Sequence, residues 1–249
     1  MTRRDRRLAG DLRSLEACLG VNLHAEGSCR FALGLTVVHC TASLDPDLPR
    51  WRRDSGQGWV TAEYRMLPRA TSTRTPREGR FDVKGRTAEI QRLVGRALRA
   101  VTDLKALGAR QFIVDCDVLQ ADGGTRIASV NGGFLALVQA FASLVDAGVL
   151  PRIPLRAGVA AVSVGLVDGV PLLDLAYDED ARAQVDLNVV STSDGRIVEV
   201  QGTAEGEPFG RADLDGLLDL ALPALGRIHA AQRQVLLDAG IQVPFLEPG

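Results

Sequence analysis

The stretch that decides the fold runs from residue 111 to residue 147 and reads QFIVDCDVLQ ADGGTRIASV NGGFLALVQA FASLVDA. Apolar and polar residues alternate over 111–118, which predicts a half-buried strand. Gly123 and Gly124 follow it, and adjacent glycines favour a tight turn. The apolar run over 132–147 then predicts a buried helix. A strand, a glycine turn and a helix are therefore expected in close succession.

The segments around this stretch predict alternating strands, loops and helices. Residues 1–23 are polar and rich in arginine, which predicts an extended arm. Before the central stretch we expect a hairpin over 26–43, a loop over 45–53, a strand over 58–66, a loop over 69–85 and a helix over 87–106. After it we expect hairpins over 159–177 and 185–201 and a closing helix over 214–237.

This order of elements predicts an α+β fold. Strand pairs followed by helices occur in both halves of the chain, about 10–147 and 151–240, which indicates two related units and not a parallel doubly wound sheet. With 249 residues the chain is long enough to bury a full core without disulfides or a structural metal. We therefore expect one layered domain spanning residues 1–249.

The charge of the chain is segregated. The net charge is only −2, but residues 50–99 carry 13 basic and 5 acidic residues, net +8, and residues 168–249 carry 5 basic and 15 acidic residues, net −10. Such segregation in a nearly neutral chain is a clue to function. The longest apolar stretch, residues 157–167, is shorter than the roughly 20 residues of a membrane span. No membrane span is predicted, and four dispersed cysteines without a CxxC motif favour reduced thiols in the cytoplasm.

The first candidate site is the glycine turn. Without a Cβ, Gly123 and Gly124 let backbone N–H groups turn toward an anion. Thr125 adds a hydroxyl group, and Arg126 adds a planar fork that matches phosphate oxygens. The helix that follows would favour an anion at its N-terminus. The alternative is an ordinary tight turn with an incidental arginine.

The second candidate is Arg86, directly before the predicted helix, with Thr87 as its N-cap. A cation beside a helix N-terminus is unfavourable unless an anion lies between them. Arg86 and Arg126 could thus form a two-arginine clamp for phosphate. The alternative is a solvated loop arginine.

The third candidate is acidic. Asp186 and Asn188 share one face of a predicted strand whose other face is apolar. Asp180 precedes Asp186 by six residues, so a loop could place the two carboxylates side by side. Paired carboxylates suit Mg²⁺ ligation or general acid catalysis. A solvent-facing strand beside an acidic loop explains the pattern equally well.

The fourth candidate is the basic loop, whose cations are spaced two to five residues apart. Such spacing suits a flexible segment that touches successive phosphates of a nucleic acid. The alternative is a solvated charged loop. Its basic residues are Arg65, Arg69, Arg74, Arg77, Arg80, Lys84 and Arg86.

Four runs of this chain resemble bacterial ribonuclease PH: GWVTAEYRMLPRAT (58–71), GRTAEIQR (85–92), DCDVLQADGGTR (115–126) and VEVQGTAEG (198–206). The resemblance covers nearly the whole chain. It implies a fold like the second domain of ribosomal protein S5. It also implies a phosphorolytic 3′→5′ exoribonuclease, a nucleotidyltransferase that trims tRNA precursors with inorganic phosphate and releases nucleoside diphosphates.

The resemblance also assigns roles by motif. Arg86, Gly124, Thr125 and Arg126 would hold the attacking phosphate. Asp180 and Asp186 match the catalytic acidic pair, which would act directly or hold Mg²⁺. Arg69, Arg74 and Arg77 match positions that grip the tRNA. The assembly it implies is a homo-hexameric ring, a trimer of dimers.

The sequence departs from the family pattern at several positions, none of which removes a proposed catalytic group. The usual glycine of an N-terminal Arg-x-Asp-Gly-Arg element is Arg6, and the usual glycine before the Met-Leu-Pro-Arg run is Arg65. An alternative function is that of a non-catalytic, RNA-binding ring subunit of an exosome-like assembly. The presence of both arginines and both aspartates argues against it.

Overall fold

The computed structural model describes residues 3–79 and 83–243, which build two β-sheets and the helices that pack on them. The first sheet has five strands, in the spatial order β1-β2-β3-β5-β4. β4 and β5 pair in parallel, and the other neighbours are antiparallel. The strands are β1 (Leu15–Leu19), β2 (Gly27–Leu33), β3 (Thr36–Asp45), β4 (Trp59–Met66) and β5 (Gln111–Gln120).

The second sheet has four antiparallel strands in the order β7-β6-β8-β9. Its strands are β6 (Val159–Val167), β7 (Val170–Leu173), β8 (Ala183–Thr192) and β9 (Ile197–Ala204). The α-helices within the described residues are α1 (Gly85–Val101), α2 (Leu104–Leu107), α3 (Thr125–Asp146), α4 (Tyr177–Asp180) and α5 (Arg211–Asp238).

The elements stack in layers. α3 packs on β2 and β3 of the first sheet and also on β6 of the second, and α1 packs on β4 and α3. α5 covers the other face of the second sheet, where Val162, Leu187 and Leu225 share one apolar cluster. Successive side chains of a strand point to opposite faces of its sheet. On β8, Leu187 therefore lies toward α5, and Asp186 lies on the side of α3. The layering thus directs a polar strand face toward the N-terminus of α3.

Most predicted strands are confirmed, including both hairpins of the second half. Several predicted elements differ, and the second strand of the hairpin predicted over 159–177 ends at Leu173. A short 3-10 helix at Arg50–Ser55 lies in the predicted loop over 45–53. The helix predicted over 87–106 is two helices, because Asp103 accepts a hydrogen bond from the N–H of Ala106 at 3.1 Å and caps α2. α3 begins at Thr125, directly after the glycine turn and seven residues earlier than predicted.

The N-terminal segment is not an extended arm. Residues 15–19 form β1, and the side chains of Arg3 and Arg13 are buried against the second half of the chain. Bidentate contacts with carboxylates neutralise both arginines, so their burial is compatible with their charge.

α3 bears on the prediction that the chain has no membrane span. By length and hydropathy it could cross a bilayer, unlike any other described helix, but 83% of its most apolar window is buried inside the protein. The contacts of α3 with both sheets identify it as a core helix.

Candidate active site

The glycine turn lines an open pocket. Gly123 and Gly124 have φ values of 75° and 68°, in the left-handed region that glycine adopts without strain. The carbonyl groups of this turn accept hydrogen bonds from other parts of the chain. Arg13 Nη1 donates to the Asp122 carbonyl at 2.5 Å, and Thr36 Oγ1 donates to the Gly123 carbonyl at 2.6 Å. The first N–H groups of α3 have no acceptor within the helix and are free to bind an anion.

Gly123 also brings the turn against the acidic segment. A Cβ at this position would lie 2.7 Å from the Leu175 carbonyl and 2.8 Å from the Tyr177 nitrogen. Only glycine therefore fits between the turn and the segment that leads into α4. Asp180, the last residue of α4, is placed beside the turn by this contact.

The side chains of Thr125 and Arg126 are fixed by partners from other elements. The Thr125 hydroxyl lies 2.8 Å from the hydroxyl of buried Tyr64 on β4. Arg126 Nη1 donates to Glu89 Oε1 at 2.9 Å and to Gln201 Oε1 at 2.8 Å. Its guanidinium is thereby oriented from α1 and β9 together, and its side chain is only 13% exposed.

Arg86 lies in the first turn of α1 and lines the same pocket. The prediction that Thr87 caps this helix is wrong. The helix begins at Gly85 after Lys84, and Thr87 is buried inside its first turn. The earlier start places Arg86 on the helix itself, so its backbone is fixed while its side chain stays exposed.

The two aspartates share a half-buried environment. Burial raises the pKa of Asp186 to about 6, with a further increase from the nearby charge of Asp180 and an opposing effect from Arg126. Burial also raises the pKa of Asp180, against the lowering effect of Arg86 and Arg126. Asn188 Nδ2 donates to Asp186 Oδ2 at 3.4 Å. A carboxyl group with a pKa near 6 can exchange a proton near neutral pH.

These groups converge on one small polar cavity of about 40 Å³, so the structure brings together all six predicted phosphate-binding and acidic residues. It is lined by Arg86, Gly124, Thr125, Arg126, Ser163, Leu175, Asp180, Asp186 and Asn188. The arginines and the glycine turn come from the N-termini of α1 and α3, and the carboxylates come from α4 and β8.

A second, larger cleft of about 440 Å³ adjoins this cavity and shares Arg86, Gly124 and Asp180 with it. Met66 and Tyr177 supply apolar surface, and Tyr177 is 66% exposed. The sequence analysis did not single out Tyr177. A lone tyrosine beside an acidic run gives no local sign that its ring will line a cleft.

The predicted RNA-binding arginines lie outside the cavity. Arg69, Arg74 and Arg77 are exposed in the segment between β4 and α1. The neighbouring Thr71 and Ser72 line the larger cleft, so this segment borders its entrance. Arg80, part of the predicted basic loop, lies outside the described residues.

An N-terminal network supports the acidic segment and was also missed. Arg3 donates to both carboxylate oxygens of Glu179 at 2.7 Å, and Arg13 grips Asp174 at 2.7 and 3.0 Å. Asp174 is buried and has a φ of 54°, unusual for a residue with a side chain. Partners more than 160 residues apart leave no local pattern in the sequence.

The comparisons with known proteins agree across nearly the whole chain. Residues 11–143 match the 3′ exoribonuclease family, domain 1, and residues 158–224 match domain 2 of that family. Ribonuclease PH of Mycobacterium avium (strain 104) is 55% identical over 240 residues, which cover 95% of this chain and 92% of that protein.

Two solved structures share the fold at low identity. The Archaeoglobus fulgidus exosome with RNA bound to the active site superposes with a TM-score of 0.80 at 23% identity, covering 92% of both chains. Rice (Oryza sativa) Rrp46 superposes with a TM-score of 0.76 at 20% identity, covering 94% of this chain and 100% of that one. Both likenesses concern the architecture of two sheets and their helices.

Proposed function

Since this chain belongs to the 3′ exoribonuclease family of ribonuclease PH, we propose that its cavity at the N-terminus of α3 binds the inorganic phosphate that attacks the 3′ end of a tRNA precursor. The predicted family, fold class and activity are confirmed: the chain is a phosphorolytic 3′→5′ exoribonuclease of the nucleotidyltransferase class. The observation that carries the proposal is the convergence of Arg86, Arg126 and Gly124 of the glycine turn with Asp180 and Asp186 in one cavity.

The reaction needs this arrangement because both reactants are anions. A phosphate oxygen attacks the terminal phosphodiester, and the bond from phosphorus to the 3′ oxygen of the preceding nucleotide breaks. A nucleoside diphosphate leaves, and the shortened RNA ends in a 3′ hydroxyl group. Fixed cations and amides offset the repulsion between the anions without reorganising during the reaction. Arg126, anchored by Glu89 and Gln201, is such a fixed cation.

The leaving 3′ oxygen needs a proton or a compensating positive charge. Asp186, with its pKa near 6, is the group best placed to hold a proton at this end of the cavity. Asp180 and Asp186 would also suit Mg²⁺, which proteins bind through one or two carboxylates plus substrate phosphates. Mg²⁺ bound there would neutralise charge on the scissile phosphate. Both carboxylates line the same cavity, and the charge of Asp180 raises the pKa of Asp186, which supports the fit.

The larger cleft has the size and lining to take the terminal nucleoside. The glycine turn lines it, and the exposed Tyr177 ring offers a face on which any base can stack. The exposed arginines Arg69, Arg74 and Arg77 at its border would contact the phosphates of the preceding nucleotides.

The assembly and location complete the proposal. We place the chain in a homo-hexameric ring, a trimer of dimers, in the cytoplasm. In a ring, the arginine-bearing segments of several copies would form a wider RNA-binding surface than one copy offers. The relatives with this fold and the dispersed cysteines support this part of the proposal.

The test is an RNA with an unpaired 3′ tail, incubated with and without inorganic phosphate. The proposal expects nucleoside diphosphates only when phosphate is present. Arg126→Ala should slow turnover about 10²- to 10³-fold, the cost of losing one preorganised donor. Arg211→Ala, which removes an exposed arginine on α5, is the matched control and should turn over normally.

Two outcomes would contradict the proposal. Unchanged turnover of Arg126→Ala at saturating phosphate would reject the phosphate site. RNA retention without any product, with or without Mg²⁺, would instead favour the non-catalytic ring subunit.

A further inference from the structure

Much of the basic segment lies away from the active site. Three of its arginines are on the 3-10 helix Arg50–Ser55, and a fourth is in the last turn of α1. With two tryptophans they form a compact cluster, here called the Arg–Trp surface. Its members are Arg50, Trp51, Arg52, Arg53, Trp59 and Arg99.

The Arg–Trp surface is internally ordered. The rings of Trp51 and Trp59 meet edge to face with centroids 4.7 Å apart. The Arg52 guanidinium lies 5.8 Å from the Trp51 ring and 5.3 Å from the Trp59 ring, and Arg99 lies 4.4 Å from Trp59. Arg52 is also held by Gln57, which accepts its Nη2 hydrogen bond at 2.8 Å. The indole of Trp51 is therefore supported from behind, so a ligand would lose little side-chain entropy in stacking on it.

The same surface presents apolar area and positive charge to solvent. Trp51 is 65% exposed, and Arg50 and Arg53 beside it are exposed. Within residues 3–79 and 83–243 none of the four arginines forms an ion pair, although Asp54 follows Arg53 in the chain. By contrast, the nearby Arg96 is paired with Glu199 at 2.6 Å. Unpaired arginines around an exposed tryptophan match the chemistry of a nucleic acid strand.

β4 connects this surface rigidly to the active site. Trp59 is the first residue of β4, and Met66, its last, lines the larger cleft. Seven residue steps at about 3.3 Å each separate the two ends by roughly 23 Å. An RNA whose 3′ end occupies the cleft could therefore reach the Arg–Trp surface with a more distant part of the same molecule.

We propose that the Arg–Trp surface binds an unpaired segment of the substrate RNA upstream of its 3′ end. One base stacks on Trp51, and the flanking phosphates pair with Arg50 and Arg53. Stacking and phosphate contacts read no base edges, so the surface accepts any sequence. The inference rests on the proposed function only in taking the bound RNA to be the substrate.

The test measures RNA binding without phosphate, so that no turnover occurs. Its probe is a stem-loop RNA with an unpaired 3′ tail. Trp51→Ala should weaken binding about ten-fold, within the range measured for loss of one stacked base, and Trp51→Phe should keep most of the affinity. The double variant Arg50→Gln/Arg53→Gln should lower the slope of log Kd against log salt by about 1.4, as expected for two contacts to single-stranded phosphates. Arg196→Gln/Arg211→Gln removes two exposed arginines elsewhere and should leave the affinity unchanged.

A trinucleotide, too short to reach both sites, separates this surface from the active site. Its phosphorolysis should be unchanged in the Trp51 and Arg50/Arg53 variants. Unchanged affinity of the folded Trp51→Ala chain for the stem-loop RNA would overturn the proposal. If Trp51→Ala fails to fold, the Arg50→Gln/Arg53→Gln variant tests the proposal instead. An unchanged slope of log Kd against log salt in that variant would overturn it.

Sedimentation of every variant tests the competing occupant, a second copy of the chain. If RNA affinity falls only where the sedimenting mass also changes, the surface joins copies and the proposal is overturned. A chain that binds RNA through this surface but releases no nucleoside diphosphate would contradict the proposed function and leave this inference standing.

Discussion

Arg3 and Glu179 are 176 residues apart in the chain, yet they form a buried ion pair with two contacts of 2.7 Å, from Nε to Oε1 and from Nη2 to Oε2. Glu179 precedes Asp180 in α4 and also accepts a hydrogen bond from the Ala176 N–H at 2.9 Å. The arginine holds the pKa of Glu179 below its usual value despite burial, which would raise it. The N-terminus thus fixes the backbone that carries an active-site carboxylate.

Arg3→Ala should therefore impair catalysis without weakening phosphate binding. Displacement of a catalytic group by about 1 Å can cost as much as 10²-fold in rate, so we expect kcat to fall roughly ten- to a hundred-fold. The KM for phosphate should stay within about two-fold, because Arg86 and Arg126 lie on α1 and α3. Steady-state kinetics of Arg3→Ala and Arg3→Lys check this. Lysine keeps the positive charge but not the planar guanidinium that binds a carboxylate with two contacts, so Arg3→Lys should recover part of the lost kcat. Normal kcat in the alanine variant would refute the positioning role.

Tyr177 offers a test of the larger cleft. Tyr177→Ala should raise the KM for a short RNA about ten-fold, because base–aromatic stacking contributes about 1–3 kcal/mol per base. Tyr177→Phe keeps the ring and should behave like the unaltered chain. The measurement is the KM of each variant for a trinucleotide at saturating phosphate. Equal values for the alanine and phenylalanine variants would show that the ring does not contact the terminal nucleoside.

No local sequence pattern marks Arg3 or Tyr177, in contrast to the centre of the site. The glycine turn, Arg126 and the polar face of β8 are local patterns, and they predicted a phosphate clamp and paired carboxylates, whereas the family resemblance assigned these groups to one site. The roles of Arg3 and Arg13 depend on partners in the other half of the chain. The polar, arginine-rich sequence predicted an extended arm, because only tertiary structure supplies the carboxylates that make burial of these arginines tolerable.

The boundaries of α1 and α2 also depend on contacts that the sequence pattern does not reveal. Thr87 has the side chain of an N-cap, but the packing of α1 buries it and starts the helix at Gly85. The break between α1 and α2 lies at Thr102 and Asp103, whose side chains bond to Leu98 and Ala106. Neither residue interrupts the apolar period, so the period alone predicted one continuous helix.

Replacement of Arg6 by glycine should stabilise the folded chain. Its φ is 62°, and its side chain is exposed. This position is the one where the family pattern has glycine, and the left-handed conformation explains that preference. Relief of about 1–2 kcal/mol of backbone strain, offset in part by the greater freedom of unfolded glycine, should make Arg6→Gly about 0.5–1 kcal/mol more stable. Urea denaturation measures the difference. Arg4→Gly, at an exposed neighbour without a positive φ, is the control and should bring no gain.

His229 predicts a pH dependence of stability. Burial lowers its pKa from 6.5 to about 4. The unfolded chain therefore takes up a proton that the folded chain refuses, and the stability present above pH 6.5 is lost as the pH falls toward 4. Between pH 7 and pH 5 this loss amounts to about 2 kcal/mol.

Asp186 acts in the opposite direction over part of the same window, because its raised pKa makes the folded state bind the proton more tightly. The informative quantity is therefore the difference between the unaltered chain and His229→Gln. The variant should lose about 2 kcal/mol less on going from pH 7 to pH 5. The exposed His24 is the control position, and His24→Gln should follow the unaltered chain. Parallel pH profiles for the chain with and without His229 would contradict the assignment.

The most direct test of the central claim traces the attacking phosphate. The chain is incubated with an RNA bearing an unpaired 3′ tail and radiolabelled inorganic phosphate, and the released nucleotides are separated. Our account predicts nucleoside diphosphates labelled only in the β-phosphate, and a severe loss of this label in Arg126→Ala. Release of unlabelled nucleoside monophosphates would show that water is the nucleophile and would contradict the account.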